Sequence, residues 1–263
     1  MRVRTPLVLF FLVALGATEA AAHYTFILPQ AFRVTAGETL TIGFHSGDGF
    51  PESAAILKRL QEPTIRTERG AIKLGGLKED GKRLVASTVV PTSSHIIVTA
   101  LNPPAVEQMK PDSFEKYLEE EGLGHIVRAR AARGESGAPG RERYTMYAKA
   151  VLATGTPGDG YRSVAGLALE IIPERDPYRL QSGEMLPVRV LFRGKPAADL
   201  QLTAASTAEG VKTRVVGTTD AEGRVTVPVS RGQWRLHTIL MERVTEAEID
   251  WESTWTTLTF EVS

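Results

Sequence analysis

The sequence predicts a mainly β protein: two β-sandwich units of immunoglobulin or transthyretin type, with a short helical insertion in the first. Three observations predict it. Short runs alternate apolar and polar residues with a period of two, as Leu40, Ile42 and Phe44 do within 39–45. Turn residues recur between the runs, in Glu79-Asp-Gly81, Val90-Pro-Thr-Ser93 and Thr219-Asp-Ala-Glu-Gly223. About seven such runs follow residue 164, the count and spacing of a sandwich.

The chain opens as an export signal. Arg2 and Arg4 precede an apolar run from Pro6 to Ala17, and Ala20-Ala-Ala22 supplies the small residues a signal peptidase needs. That run is too short for a membrane span of about 20 residues. No later run approaches that length. The expectation is a signal peptide over 1–22, cleaved after Ala22, and a mature protein in the periplasm without a membrane span.

The first sandwich is expected over 23–153. Runs at 39–45, 83–87 and 94–101 read as strands, and Asn102-Pro-Pro104 ends that stretch. A helical insertion follows at about 112–132, capped by Asp112 or Ser113. Phe114, Tyr117, Leu118 and Glu121 share one helical stripe, while Glu119-Glu-Glu121 reads as a solvated face. Residues 141–152 fit either period; a strand completing the sandwich is the favoured reading. The Gly/Pro-rich stretch 154–163 is the expected linker, and 164–263 the second, transthyretin-like sandwich.

Composition excludes several chemistries. The 263 residues carry Lys+Arg 31 against Asp+Glu 31, so no basic excess suggests a nucleic-acid partner. The absence of Cys removes disulfides, thiolate metal sites and cysteine nucleophiles. No phosphate-binding loop, nucleophile elbow, HExxH or EF-hand pattern is present, and no catalytic residues are assigned.

A set of segments carries a family likeness: 22–29 (Ala-His-Tyr-Thr-Phe-Ile-Leu-Pro), 44–51 (Phe-His-Ser-Gly-Asp-Gly-Phe-Pro), 114–123, 141–150, 191–196, 219–225 and 250–260. Through them the chain resembles the bacterial periplasmic domain-of-unknown-function family labelled nickel-uptake or cobalt-transport system periplasmic component. The resemblance implies an exported, two-part β-rich protein whose carboxy-terminal half is like transthyretin or carboxypeptidase regulatory modules. It also implies a histidine directly after the signal, matched by His23.

Without thiolates, a transition-metal site must use imidazole, amine, carboxylate or thioether donors. Cleavage after Ala22 would give His23 a free α-amine beside its imidazole, a two-nitrogen chelate for nickel, cobalt or copper. His45 lies opposite the apolar face of its strand. His237 lies opposite Trp234, Leu236 and Leu240. The expected metal set is His23, His45 and His237, with His95, Asp48, Met241 and Glu242 as weaker candidates. The expected function is periplasmic capture of a divalent transition metal, nickel or cobalt first and copper or zinc next, for an inner-membrane uptake transporter. Two alternatives stand beside it: a metal-independent sandwich binding protein or glycan, and a copper redox protein using an N-terminal histidine brace.

Overall fold

The computed structural model describes residues 23–210 and 212–263; the expected signal peptide lies outside the described residues. The chain is mainly β. The first strands are β1 (Thr25–Pro29), β2 (Thr39–Ser46), β3 (Gln61–Thr67), β4 (Gly70–Lys73), β5 (Lys78–Asp80), β6 (Arg83–Val89) and β7 (His95–Met109). Two helices, α1 (Pro111–Glu120) and α2 (Gly124–Ala132), separate β7 from β8 (Gly140–Ala153). Then come β9 (Leu169–Pro173), β10 (Met185–Phe192), β11 (Lys195–Pro196), β12 (Gln201–Ser206), β13 (Arg214–Thr218), β14 (Arg224–Pro228), β15 (Gly232–Arg243) and β16 (Trp251–Val262).

Two local expectations need correction. β7 does not stop at Asn102-Pro-Pro104; it continues to Met109, with its register against β8 shifting between Asn102 and Ala105. Prolines lack the ladder N–H, and a bulge is where a strand tolerates them. α1 is capped two or three residues earlier than expected, not at Asp112 or Ser113. Lys110 is its cap position and Pro111 its first residue, where proline's missing N–H costs nothing. Residues 141–152 form a strand, as favoured.

The sheets are ordered β1-β2-β6-β5, β13-β12-β15-β16-β8-β7-β3-β4, and β10 with β9, β11 and β14. The second contains strands from both sides of 154–163. Its seam is the parallel pair β8–β16, running from Trp251 opposite Glu142 to Thr259 opposite Ala150. The halves expected as separate sandwiches therefore share one central sheet.

At its centre, both faces of that sheet are covered. On one, Thr257 Oγ1 donates to Thr25 O at 2.7 Å and Thr259 Oγ1 to Ile27 O at 2.6 Å, tying β1 down. On the other, Lys149 Nζ on β8 meets Glu170 on β9 at 2.6 Å, with both side chains buried. Lys149 also donates to Ser163 O, and the Glu170 carboxylate accepts from the backbone N–H groups of Ala165, Gly166 and Leu167. A charge taken from water at this depth needs such a partner set.

Breaking that pair from one side should be costly. Lys149→Met leaves a buried carboxylate without its countercharge and should lose about 3–5 kcal/mol in urea unfolding. Adding Glu170→Gln, which keeps an acceptor for the backbone donors, should recover more than half of the loss. A double variant no more stable than the single one would contradict this account.

Candidate metal centre

The first described residues run into β1 beside the loop that follows β2. His23 Nδ1 faces Asp48 Oδ2 at 3.1 Å, and both side chains are partly open to solvent. Asp48 sits in the Gly-rich segment 46–50, whose short residues bring the backbone alongside: Gly47 N donates to Tyr24 O at 3.1 Å. Sequence reasoning singled out both residues, and the structure brings them together.

Tyr24 turns inward from this corner. Its ring lies 4.5 Å from the His237 ring and 5.9 Å from Trp255, and its hydroxyl donates to Glu121 Oε1 at 3.0 Å. Glu121 Oε2 faces His237 Nε2 at 3.1 Å. The other ring nitrogen, Nδ1, lies 3.1 Å from Thr256 O. A carbonyl oxygen only accepts, so Nδ1 carries hydrogen, and Nε2 can meet a carboxylate only through a proton or a bound cation. Burial by itself raises the Glu121 carboxyl. The hydrogen bond and charge of His237, the Tyr24 hydroxyl and the Arg235 charge outweigh it and hold the carboxyl below the usual range. The Tyr24 phenol is driven well up, by burial first and by the Glu121 carboxylate second.

Arg235 completes the wall. It is 1% exposed, and its guanidinium carbon lies 4.1 Å from the Tyr24 ring centroid, 5.5 Å from Phe26 and 5.8 Å from Phe50. Its Nη2 donates to Thr213 Oγ1 at 3.2 Å, while Nε and Nη1 have no hydrogen-bond acceptor among the described residues. The aromatic faces attract this buried cation.

The remaining candidates lie elsewhere. His45 is 5% exposed and stacks on Phe26 at 5.1 Å, with Nδ1 2.8 Å from Ser53 Oγ. It borders an open cleft of about 410 Å³ with Glu52, Asp80, Lys82 and Arg83. Burial, then the charge of Arg83, lowers its pKa to about 4, so the ring is neutral near neutral pH. Gly43 makes room for it: a Cβ there would meet His45 Nε2 at 2.6 Å. His95 is buried between Asp176, at 3.3 Å, and the rings of Tyr161 and Tyr178. Met241 packs in the apolar cluster of Phe114, Ile239, Trp251 and Trp255. Glu242 is exposed on β15, opposite Glu252. Among the described residues no three His, Asp or Glu side chains are placed to hold one metal ion.

The sequence reading missed Tyr24, Glu121 and Arg235. It placed Glu121 with its neighbours on a solvated face, but the side chain is 12% exposed. The signal was present: Glu121 ends the stripe of Phe114, Tyr117 and Leu118, so it must enter the same packed surface.

Residues 20–242 match the model of a family described as a domain of unknown function (DUF4198), and the chain belongs to that family. No curated protein matches it. Two solved structures show weak likeness. One is the three N-terminal domains of the bacteriophage RB49 highly immunogenic outer capsid protein, at 12% identity and a TM-score of 0.19, with 91% of this chain and 59% of that one covered. The other is a Salmonella alpha-2-macroglobulin mutant, at 8% identity and a TM-score of 0.22, with 96% of this chain and 16% of that one covered. The chain thus spans less than two thirds of either, and likeness this low says nothing of its function.

A neighbouring carboxyl gives the wall a pH dependence. Glu142 on β8 accepts from Tyr117 Oη at 3.0 Å and from Ser253 Oγ. Burial raises its pKa from 4.5 to about 7, the two hydroxyl donors opposing. Between those values the folded chain keeps a proton the unfolded chain has released, so this group's contribution falls as pH rises from 4.5 through 7. Glu142→Gln keeps an acceptor and removes the slope. It should gain about 1–3 kcal/mol at pH 8 and almost nothing at pH 4.5 in parallel denaturation curves. Equal effects at both pH values would contradict the assignment.

Proposed function

We propose that this is an exported metal-capture protein that takes up a divalent transition metal, nickel or cobalt first, at the corner formed by His23 and Asp48. The observation that carries the reading is which nitrogen faces the carboxylate. His23 Nδ1 lies 3.1 Å from Asp48 Oδ2. Nδ1, not Nε2, is the nitrogen that closes a six-membered chelate ring with a histidine's own α-amine. Cleavage after Ala22 would free that amine. Amine, imidazole and carboxylate are then three borderline-to-hard donors, a set that suits Ni, Co, Cu and Zn.

The inner network has the character of support. His237, Glu121 and Tyr24 fix the chain where it enters β1, so that His23 meets Asp48 without a long search. Partial exposure of the pair suits a cargo that must be released, in this reading to an inner-membrane uptake transporter. Protons compete for the amine and the imidazole, so binding weakens on acidification.

Calorimetry on the protein beginning at His23, titrated separately with Ni, Co, Cu and Zn, tests this. One ion should bind per chain. Asp48→Asn should weaken binding about tenfold, and a residue added before His23 by at least as much. Undiminished affinity in both altered proteins contradicts the proposed site. Mass spectrometry of the exported protein should give a first residue of His23; any other start removes the chelate.

A further inference from the structure

The outer face of the β9–β10–β14 sheet holds a cleft of about 530 Å³, within the usual size range of small-molecule sites. None of its lining residues belongs to the corner at His23 and Asp48. β10 alternates here up to Val190, and Leu191 beyond it is 9% exposed. Leu186, Val188 and Val190 are buried in the core, while Pro187, Arg189 and Leu191 face the cleft. Ile172 is the partner of Arg189 on β9, and Arg224 is its partner on β14.

That row places two arginines directly opposite each other on adjacent antiparallel strands. Like charges in such a pair are destabilising. A third, Arg162, joins them on the rim, held by its Nη2 bond to Glu174 O at 2.7 Å. Glu174 is the one carboxylate among the lining residues; it reaches Arg224 Nε at 3.3 Å. Arg189 Nε donates to a carbonyl, Glu222 O, at 3.0 Å. Each guanidinium has five N–H donors in a planar fork, and these contacts use one direction of each. Three fixed cations with one anion, above an apolar floor of Ile172, Pro187 and Leu191, form a local inconsistency that an anionic ligand resolves.

We infer that this cleft binds a small organic carboxylate with an apolar body. The carboxylate lies between the guanidiniums of Arg189 and Arg224, with Arg162 closing the rim. The hydrocarbon or aromatic part covers Ile172, Pro187 and Leu191. Planar forks match a carboxylate's two oxygens, and the floor selects against anions that bring no apolar surface. The inference is independent of the metal reading.

Titration calorimetry of the protein with hexanoate, hexanol and inorganic phosphate tests it. Hexanoate should bind saturably at one site per chain. Hexanol and phosphate should each bind at least about tenfold more weakly. Arg189→Gln and Arg162→Gln should each weaken hexanoate about tenfold while remaining folded. The second variant guards against disturbance of the turn that Arg189 holds. Absence of saturable hexanoate binding overturns the inference. So does hexanol binding equally well, phosphate binding equally well, or full affinity in both folded variants.

Discussion

The parallel seam between β8 and β16 is the constraint on which the rest of the molecule depends. It joins strands more than a hundred residues apart into one sheet. Antiparallel neighbours on each side then extend that sheet to eight strands. The centre of that sheet is covered on both faces and cannot send its polar side chains to water. Several of its buried polar side chains therefore find partners in the layers above and below. Thr257 and Thr259 do so with the β1 backbone, and Lys149 with Glu170. Salt bridges fasten the seam's open end, Arg141 to Asp250 and Arg143 to Glu246 and Glu252.

The corner at His23 follows from that constraint. β1 is held on the central sheet by hydrogen bonds to its own backbone, so the residue before it, Tyr24, is delivered against His237 and Trp255. Glu121, at the end of α1, closes the ring by taking both Tyr24 and His237. What projects outward is His23, and the loop after β2 brings Asp48 to meet it. The corner is thus built by distant parts of the sequence around residues 23–24, 48, 121 and 237–255, each positioned for reasons of packing.

Local periodicity carried much of the fold. The alternation at Leu40, Ile42 and Phe44 is β2. The division of β15 into Trp234, Leu236 and Leu240 against Arg235, His237 and Met241 holds in the structure. What periodicity does not carry is the layer on the second face. His237 and His45 looked like candidates because they lay opposite an apolar face. Both are nonetheless buried, one under Tyr24 and Glu121, the other against Phe26. A sheet buried on both sides violates the in–out rule that strand parity uses. Asn102-Pro-Pro104 misled for a related reason: a strand with a bulge passes through prolines that would end a regular one. The pairing of His23 with Asp48 depends on loop geometry that no sequence period encodes.

The central proposal is that, once cleavage frees the His23 α-amine, that amine, the His23 imidazole and the Asp48 carboxylate form the metal site. X-ray absorption at the nickel edge of the protein beginning at His23 reads this donor set most directly. The account predicts a first shell of nitrogen and oxygen only, with the outer-shell scattering of a single imidazole. Scattering from two or more imidazoles, or any sulfur in the first shell, would contradict it by placing His45, His237 or Met241 on the metal.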